Sequence, residues 1–401
     1  MKSKIFLEMC KIRKPKSRYS KFPGVLIGFN GLNVTNLETA VTYRMRPVAT
    51  PFSFDLDDGK AETLAKTAKE IEFANLLPGD PNGKVRISGD EISIEIPEGP
   101  VNEFPRIPVP EETKAFEVFE MPWAEFCEKG IRTAEFACRE ARGFALHGVY
   151  FNFPGEGKPG SFVATDGRRL AILKGPETDR EFKCIIPRAF FKAFYSITKI
   201  EKPETVRILA NEKEIEVSGP GMDGPAIRTQ IANVWIEAGN FLFNQLMIDG
   251  QFPDYRRVFP SSEPVMTTTI GPAQKNTIDK ACKFAEEGRG LEIYRNKLVI
   301  KDVEFPQVFT FEGTMEFGPM FNPNFLADFT DDEFDVEIYG HDKPMMLHAE
   351  DACYLVMPIV KDKGSRKYKL FETGEELPEP EPEKVEFNGV MEATPVENPA
   401  A

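Results

Sequence analysis

Apolar positions along the chain follow two rhythms. One has period two, as in half-buried strands; the other returns every three or four residues, as in helices packed on one face. The clearest strand signal runs from Phe162 to Ile172, where Val163, Leu170 and Ile172 stand on either side of Asp166-Gly167. The glycine tolerates positive φ and the aspartate can accept hydrogen bonds from its own backbone, so the stretch predicts a hairpin, with Arg168 and Arg169 directly after the turn. Helical spacing is clearest in Phe190, Phe191, Phe194 and Ile197, where Pro187 suits a first turn.

These patterns recur. Lys84-Val85-Arg86-Ile87, Thr205-Val206-Arg207-Ile208 and Asp335-Val336-Glu337-Ile338 each begin an alternating strand. Upstream of each lies a helical segment: Leu64, Ala65, Ala68 and Ile71; then Phe190 to Ile197; then Phe325, Leu326 and Phe329 after Asn322-Pro323-Asn324. Earlier still stands a strand pair, around Leu32 to Tyr43, Phe162 to Leu173 and Leu298 to Phe311. A further helix opens the second unit (Pro122, Trp123, Phe126, Cys127, Ile131, Ala134, Cys138) and the third (Pro272, Ile278, Ala281, Cys282, Ala285). No counterpart is evident in the first unit, whose start reads as abbreviated, and Val25, Leu26, Ile27 and Phe29 there read as a strand. The pattern predicts an α+β protein of three like domains, at 1–112, 113–252 and 253–361. Prolines 105, 108 and 110 mark the first linker and Phe252 to Pro264 the second. A Pro- and Glu-rich tail, 362–401, reads as disordered.

With 401 residues and 34 Phe the chain can bury several cores. No apolar run approaches the roughly 18 residues of a membrane span, and the basic, broken N-terminus does not resemble a signal peptide, so a cytoplasmic location is expected. Cys10, Cys127, Cys138, Cys184, Cys282 and Cys353 lack metal or redox spacing and are expected to be reduced, mostly buried thiols.

Catalytic and cofactor constellations are not evident. His147 lies in the second repeat and His341 and His348 in the third, without ligand spacing. Gly155-Glu156-Gly157-Lys158 lacks the gap and the hydroxyl residue of a phosphate loop, and Asp55, Asp57, Asp58 and Gly59 miss the calcium-loop register; both read as turns or caps. The chain is expected to be non-enzymatic, without metal or cofactor.

Three stretches in this order closely resemble the bacterial sliding clamp, the β subunit of DNA polymerase III: Phe162 to Ile172, Phe252 to Pro260, and Tyr354-Leu355-Val356-Met357-Pro358-Ile359. The resemblance implies a DNA-clamp fold, with two chains head to tail closing a ring around duplex DNA. It implies a processivity factor that tethers polymerase, clamp loader and other proteins through Leu-Phe-type peptides. By motif position the peptide pocket would use Leu146, Thr165, Gly167, Arg168, Arg169, Leu170, Pro253, Val258, Leu355, Met357, Pro358 and Ile359. Members of the family commonly carry His at Arg168 and Arg at Val360. First helices line the hole in the family, which makes Lys129, Arg132, Arg139, Arg142, Lys275, Lys280 and Lys283 DNA-facing candidates, an ordinary solvated helix face being the other reading. The basic opening segment, with Arg18, is likewise either DNA contact or a solvated arm. The dimer seam would place Phe104 and Ile107 against Ile278, Cys282 and Phe284. A net charge of −14 is compatible with DNA held by encirclement, because only the inner wall then needs to be positive. A monomeric clamp-like adaptor and a DNA-processing enzyme on a clamp scaffold are the alternatives. In the tail, Leu370-Phe371 repeats the ligand's apolar pair and is a candidate tethered occupant of the pocket.

Overall fold

The computed structural model describes residues 1–13, 24–56, 59–76, 83–139, 144–217, 226–284, 291–294, 297–300, 303–308, 312–313, 317–327, 329, 331, 333–340, 342–359, 368–369 and 376–377. Met1–Pro358 forms one compact unit and Ile359–Ala401 a second. Within the second, Tyr368–Lys369 pairs antiparallel with Glu376–Leu377. Leu370 and Phe371 lie outside the described residues, as do Arg18, Arg142 and His341.

The first unit is built three times over from one element order, a helix, four strands, a helix and three strands. The first round comprises α1 (Ser3–Cys10), β1 (Val25–Gly28), β2 (Gly31–Thr35), β3 (Thr39–Tyr43), β4 (Phe52–Phe54), α2 (Lys60–Thr67), β5 (Ile71–Asn75), β6 (Lys84–Gly89) and β7 (Ile92–Gly99). The second adds a leading strand: β8 (Phe116–Pro122), α3 (Trp123–Glu135), β9 (Gly148–Phe153), β10 (Lys158–Thr165), β11 (Arg169–Thr178), β12 (Phe182–Pro187), α4 (Arg188–Thr198), β13 (Thr205–Val217), β14 (Ala226–Ala238) and β15 (Phe241–Gln245). The third has β16 (Met266–Ile270), α5 (Pro272–Phe284), β17 (Leu291–Tyr294), β18 (Lys297–Ile300), β19 (Val303–Val308), a two-residue β20 (Glu312–Gly313), β21 (Phe317–Phe321), α6 (Pro323–Ala327), β22 (Phe334–Ile338), β23 (Met345–His348) and β24 (Ala352–Val356).

Three expectations change here. The opening residues are not a solvated arm: they form α1, whose Ile5, Phe6 and Met9 are fully buried, so the first round does have its opening helix. Ahead of this helix, Lys2 makes an isolated antiparallel bridge with Glu70. The second helix ends at Thr67, and Ile71 already belongs to β5. In consequence the Val-Arg-Ile motif of the first repeat falls on its second post-helix strand, whereas in the other two repeats it opens the first. The match there is one of strand chemistry, not of equivalent position.

Sheets run through the repeat junctions. One has the order β5-β6-β7-β4-β1-β2-β3-β15-β14-β13-β8, another β12-β9-β10-β11-β24-β23-β22-β16-β20, and a third β19-β18-β17-β21. The first junction is β3 against β15, from Thr39↔Gln245 to Tyr43↔Phe241. The second is β11 against β24, from Arg169↔Val356 to Leu173↔Ala352. Helices pack in pairs on the sheets, α1 with α2, α3 with α4 and α5 with α6, and α1 also meets α4. Gly130 permits the close α3–α4 approach, since a Cβ there would lie 2.3 Å from Cδ1 of Phe191. Phenylalanines fill the space beneath, with Phe151 edge-on to Phe162 at 4.8 Å and Phe126 edge-on to Phe194 at 5.3 Å. The first linker is pinned rather than free: the Trp235 indole donates to the Pro108 carbonyl at 2.8 Å.

Candidate functional site

The turn between β10 and β11 is held by its own side chains. Gly167 takes φ +84, which lets the chain reverse with only Asp166, Gly167 and Arg168 between the strands. Asp166 Oδ1 accepts from the amides of Arg168 (2.9 Å) and Arg169 (3.1 Å). The Thr165 hydroxyl accepts from Gly167 N at 3.1 Å and donates to the Arg169 carbonyl at 2.6 Å. Past the turn, Met357 N donates to the Arg168 carbonyl at 2.8 Å, which extends the β11–β24 ladder to the hairpin's tip.

Period-two alternation then divides this sheet between two apolar clusters. Ala171, Leu173, Tyr354 and Val356 belong to the large core. Leu170 and Leu355 face the other way, into a smaller cluster with Val163, Ile185, Phe252, Tyr339 and Met346. Over that smaller cluster lies the linker after β15, where Phe252 stacks on Tyr150 at 4.8 Å and Asn152 donates to the Tyr255 hydroxyl at 3.2 Å. Between the hairpin tip and this linker is a cavity of about 200 Å³. Leu146, Thr165, Gly167, Arg168, Arg169, Leu170, Pro253, Val258, Leu355 and Met357 line it, together with Asp254 and Tyr255. Ten of the residues expected from the sequence thus meet around one hollow. Pro358 is absent from the lining, a correction, and Ile359 begins the second unit. Asp254 and Tyr255 stand inside the quoted Phe252 to Pro260 stretch but had no motif position to single them out.

The two arginines play different parts. Arg169 is buried, and its guanidinium donates to Asp166 Oδ2 (3.0 Å) and the Glu135 carbonyl (2.8 Å) between the rings of Phe136 and Phe325, at 4.8 and 4.9 Å. It is a strut at the end of α3. Arg168 is exposed at the rim. Among the described residues its guanidinium has no side-chain partner, so the rim offers one positive charge over an apolar floor.

Below the pocket, charged side chains join α3 to the third repeat. Arg132 Nη2 lies 2.7 Å from both carboxylate oxygens of Asp331 and donates to the Tyr354 hydroxyl, which itself donates to Asp331 at 2.8 Å. Burial works against the Arg132 charge, but Glu128, Tyr354 and Asp331 outweigh it and hold the group charged; burial pushes the Tyr354 phenol above its ordinary value. Lys129, also buried, meets Asp351 at 2.8 Å, Glu125 at 3.3 Å and the Lys174 carbonyl at 2.7 Å. Neither side chain is turned to solvent, so both leave the DNA-facing set expected from the sequence. Arg139, Lys280 and Lys283 are exposed, Arg139 being 3.0 Å from Glu135, while Lys275 is paired with Asp279 at 2.5 Å. Burial raises the Glu135 carboxyl, but Lys192, Arg139 and Arg188 together hold it below its ordinary value.

No family model matches the chain. The Beta sliding clamp of Escherichia coli K12 is 29% identical over 238 residues, covering 54% of this chain and 58% of that protein. That of Salmonella typhimurium LT2 is 26% identical over 332 residues, covering 74% of this chain and 82% of its own. Among solved structures, a putative DNA polymerase III beta subunit from Eubacterium rectale superposes with a TM-score of 0.71 over 89% of this chain and 98% of that one, at 15% identity. The chain is thus similar to bacterial sliding clamps, in sequence over part of its length and in fold over most of it. It spans little more than half the length of the E. coli clamp it matches, so shared architecture extends further than shared sequence. A Pseudomonas aeruginosa sliding clamp, solved bound to griselimycin, has a TM-score of 0.68 at 17% identity.

Of the residues expected at a seam between clamp chains, two are buried. Phe104 is only 7% exposed and Ile278 is in the large core, so neither offers an apolar face to a partner. Ile107 is half-buried, and the side chains of Cys282 and Phe284 lie outside the described residues. Ile92, by contrast, is 53% exposed on β7. Of the thiols, Cys10, Cys127, Cys138 and Cys184 are buried, and Cys353 is partly exposed. Burial pushes Cys127 up to about 12 and Cys353, with help from Glu337, to about 11. No helix among the described residues is long and apolar enough to cross a membrane.

Proposed function

We propose that the chain is a DNA polymerase processivity factor: two copies joined head to tail as a ring around duplex DNA, holding replication proteins through linear peptides. The domain limits proposed are 1–112, 113–252 and 253–361. It performs no bond chemistry. Its effect is to turn polymerase rebinding into an intramolecular event at high local concentration.

The observation that carries this reading is the pattern of strand edges. The last strand of the second repeat, β15, pairs with β3 of the first, and β24 of the third pairs with β11 of the second. Continued once more, the rule would join β7 of the first repeat to β19 of a third repeat. Within one chain that pairing is absent among the described residues: β19 ends its sheet, and β7 is covered on its outer side only at Glu98 and Gly99 by β4. Open edges of this kind are pairing templates, and Ile92 and Ile94 lie along the β7 edge. A second copy supplies both missing partners and closes the ring.

Ile92→Asp should therefore yield monomers by analytical ultracentrifugation with thermal stability preserved. A dimer of unchanged mass would remove β7 from the seam. Phe104→Asp, at a buried position, should unfold its repeat rather than merely separate chains.

The pocket over Leu170 and Leu355 supports the peptide-holding part. Its floor is apolar, Met357 can adapt to ligands of different shape, and Arg168 adds a rim charge. Exposed Arg139, Lys280 and Lys283 are the cations proposed to meet phosphates, which would allow sliding without base reading.

A further inference from the structure

The second repeat carries an arm with no counterpart of its length in the other two. Its strands β13 and β14 have 13 residues each, whereas β22 and β23 in the third repeat have 5 and 4, and β5 and β6 in the first have 5 and 6. The inner halves of the pair are flanked, β8 meeting β13 from Thr205 to Ala210 and β15 meeting β14 from Val234 to Ala238. Past an irregularity at Asn211 and Glu212, the pairing runs on from Glu212↔Ile231 to Val217↔Ala226 with no third strand on either side among the described residues. A two-stranded ribbon is marginal in water, and its open edge is a template for another strand.

On the β14 side this edge opens onto a hollow. The strand β15 stops at Gln245, opposite Val234, because the next residue turns elsewhere: Leu246 N donates to the Glu38 carbonyl at 2.7 Å. Further along β14, Ile231 and Gln230 border a hollow of about 600 Å³, whose other walls include Lys183 and Ile185 of β12 and the linker from Met247 to Phe252. The strand β12 is itself the last of its sheet. Ile185 turns its carbonyl away from β9 and accepts from Ile248 N at 2.9 Å. Alternation turns the N–H and C=O of Lys183 to the same side, where no backbone group among the described residues meets them. The hollow is therefore bordered by strand edges on two sides, and an extended chain is the ligand form that satisfies such edges.

Side chains narrow the choice. Ile231, Met247 and Ile248 give the hollow half-buried apolar surface. Of the two charged groups that line it, Lys183 is engaged by Glu181, while Asp249 is exposed and has no cationic partner among the described residues. Hemmed in by β12 and the linker, the β14 edge is open to a single chain and not to the edge of a second folded copy.

We propose that this hollow receives an extended peptide segment of a partner protein as an added strand on the edge of β14. Alternate apolar side chains of the segment pack on Ile231, Met247 and Ile248, and a lysine or arginine meets Asp249. No residue lines both this hollow and the cavity over Leu170 and Leu355, so one chain can hold a partner at each.

The probe is a short fluorescein-labelled peptide of alternating valine and threonine with a lysine at each end, because main-chain pairing gives affinity with little demand on sequence. Its controls are the same peptide with glutamates for the lysines, and with every amide N-methylated. On the full chain, anisotropy should show binding of the lysine peptide that weakens about tenfold or more in Asp249→Lys and less than about threefold in Met357→Asp. The glutamate peptide should bind more weakly than the lysine peptide, and the N-methylated one not at all. Amide hydrogen exchange should show new protection between Ala226 and Ile231 when the lysine peptide is added. The site is overturned if that peptide does not bind, if N-methylation or Asp249→Lys leaves its affinity unchanged, or if protection arises only between Thr165 and Leu170. It is equally overturned if the same protection appears on raising protein concentration without peptide, since the arm would then pair with a second copy.

Discussion

Arg132→Met should destabilise the second and third repeats by about 2–3 kcal/mol, because it leaves Asp331, half-buried beside Tyr354, with its counter-charge removed. The loss should appear as a lower urea midpoint. Removing the stranded carboxylate as well, in Arg132→Met with Asp331→Leu, should recover a large part of it, since a buried pair replaced by apolar groups is often neutral. Peptide affinity should fall with the single variant, because Tyr354 precedes Leu355 in the strand that floors the pocket. A loss below about 1 kcal/mol would mean that water reaches this pair and that it does not bind α3 to the third repeat.

Met357→Asp should weaken a Leu-Phe peptide by about 10–100-fold, the loss of one apolar anchor plus a carboxylate set into its place. Thermal stability should hold, because the side chain is 37% exposed and sits at the rim. Leu170→Ala is a poorer probe of the same site: Leu170 is packed in the small cluster, and truncating it should cost about 2–5 kcal/mol of fold as well as affinity. Unchanged affinity in Met357→Asp would dissociate the cavity from peptide binding.

How far such a site can be read from sequence depends on how local its causes are. The Thr165–Arg169 turn was legible because its causes are adjacent in sequence: the Asp166 carboxylate and Gly167, with the Thr165 hydroxyl beside them, define it. Its place beside Met357 and Val258 was legible only through the family resemblance, since nothing in periodicity pairs β11 with a strand far along the chain. Lys129 and Arg132 were misread as a solvated stripe for the same reason: their partners Asp351 and Asp331 are remote in sequence, and a charged helix face looks alike whether it meets water or carboxylates. Ser3–Cys10 was hidden by flanking lysines, although Ile5, Phe6, Met9 and Cys10 already formed a helical stripe.

Encirclement separates a clamp from any protein that merely adheres to DNA. The chain, placed on nicked circular DNA by a clamp loader or by transient opening of the ring, should stay bound through gel filtration at a salt concentration that strips phosphate contacts, and should run off once the circle is cut. Equal loss from circular and linearised DNA under those conditions would contradict a closed ring.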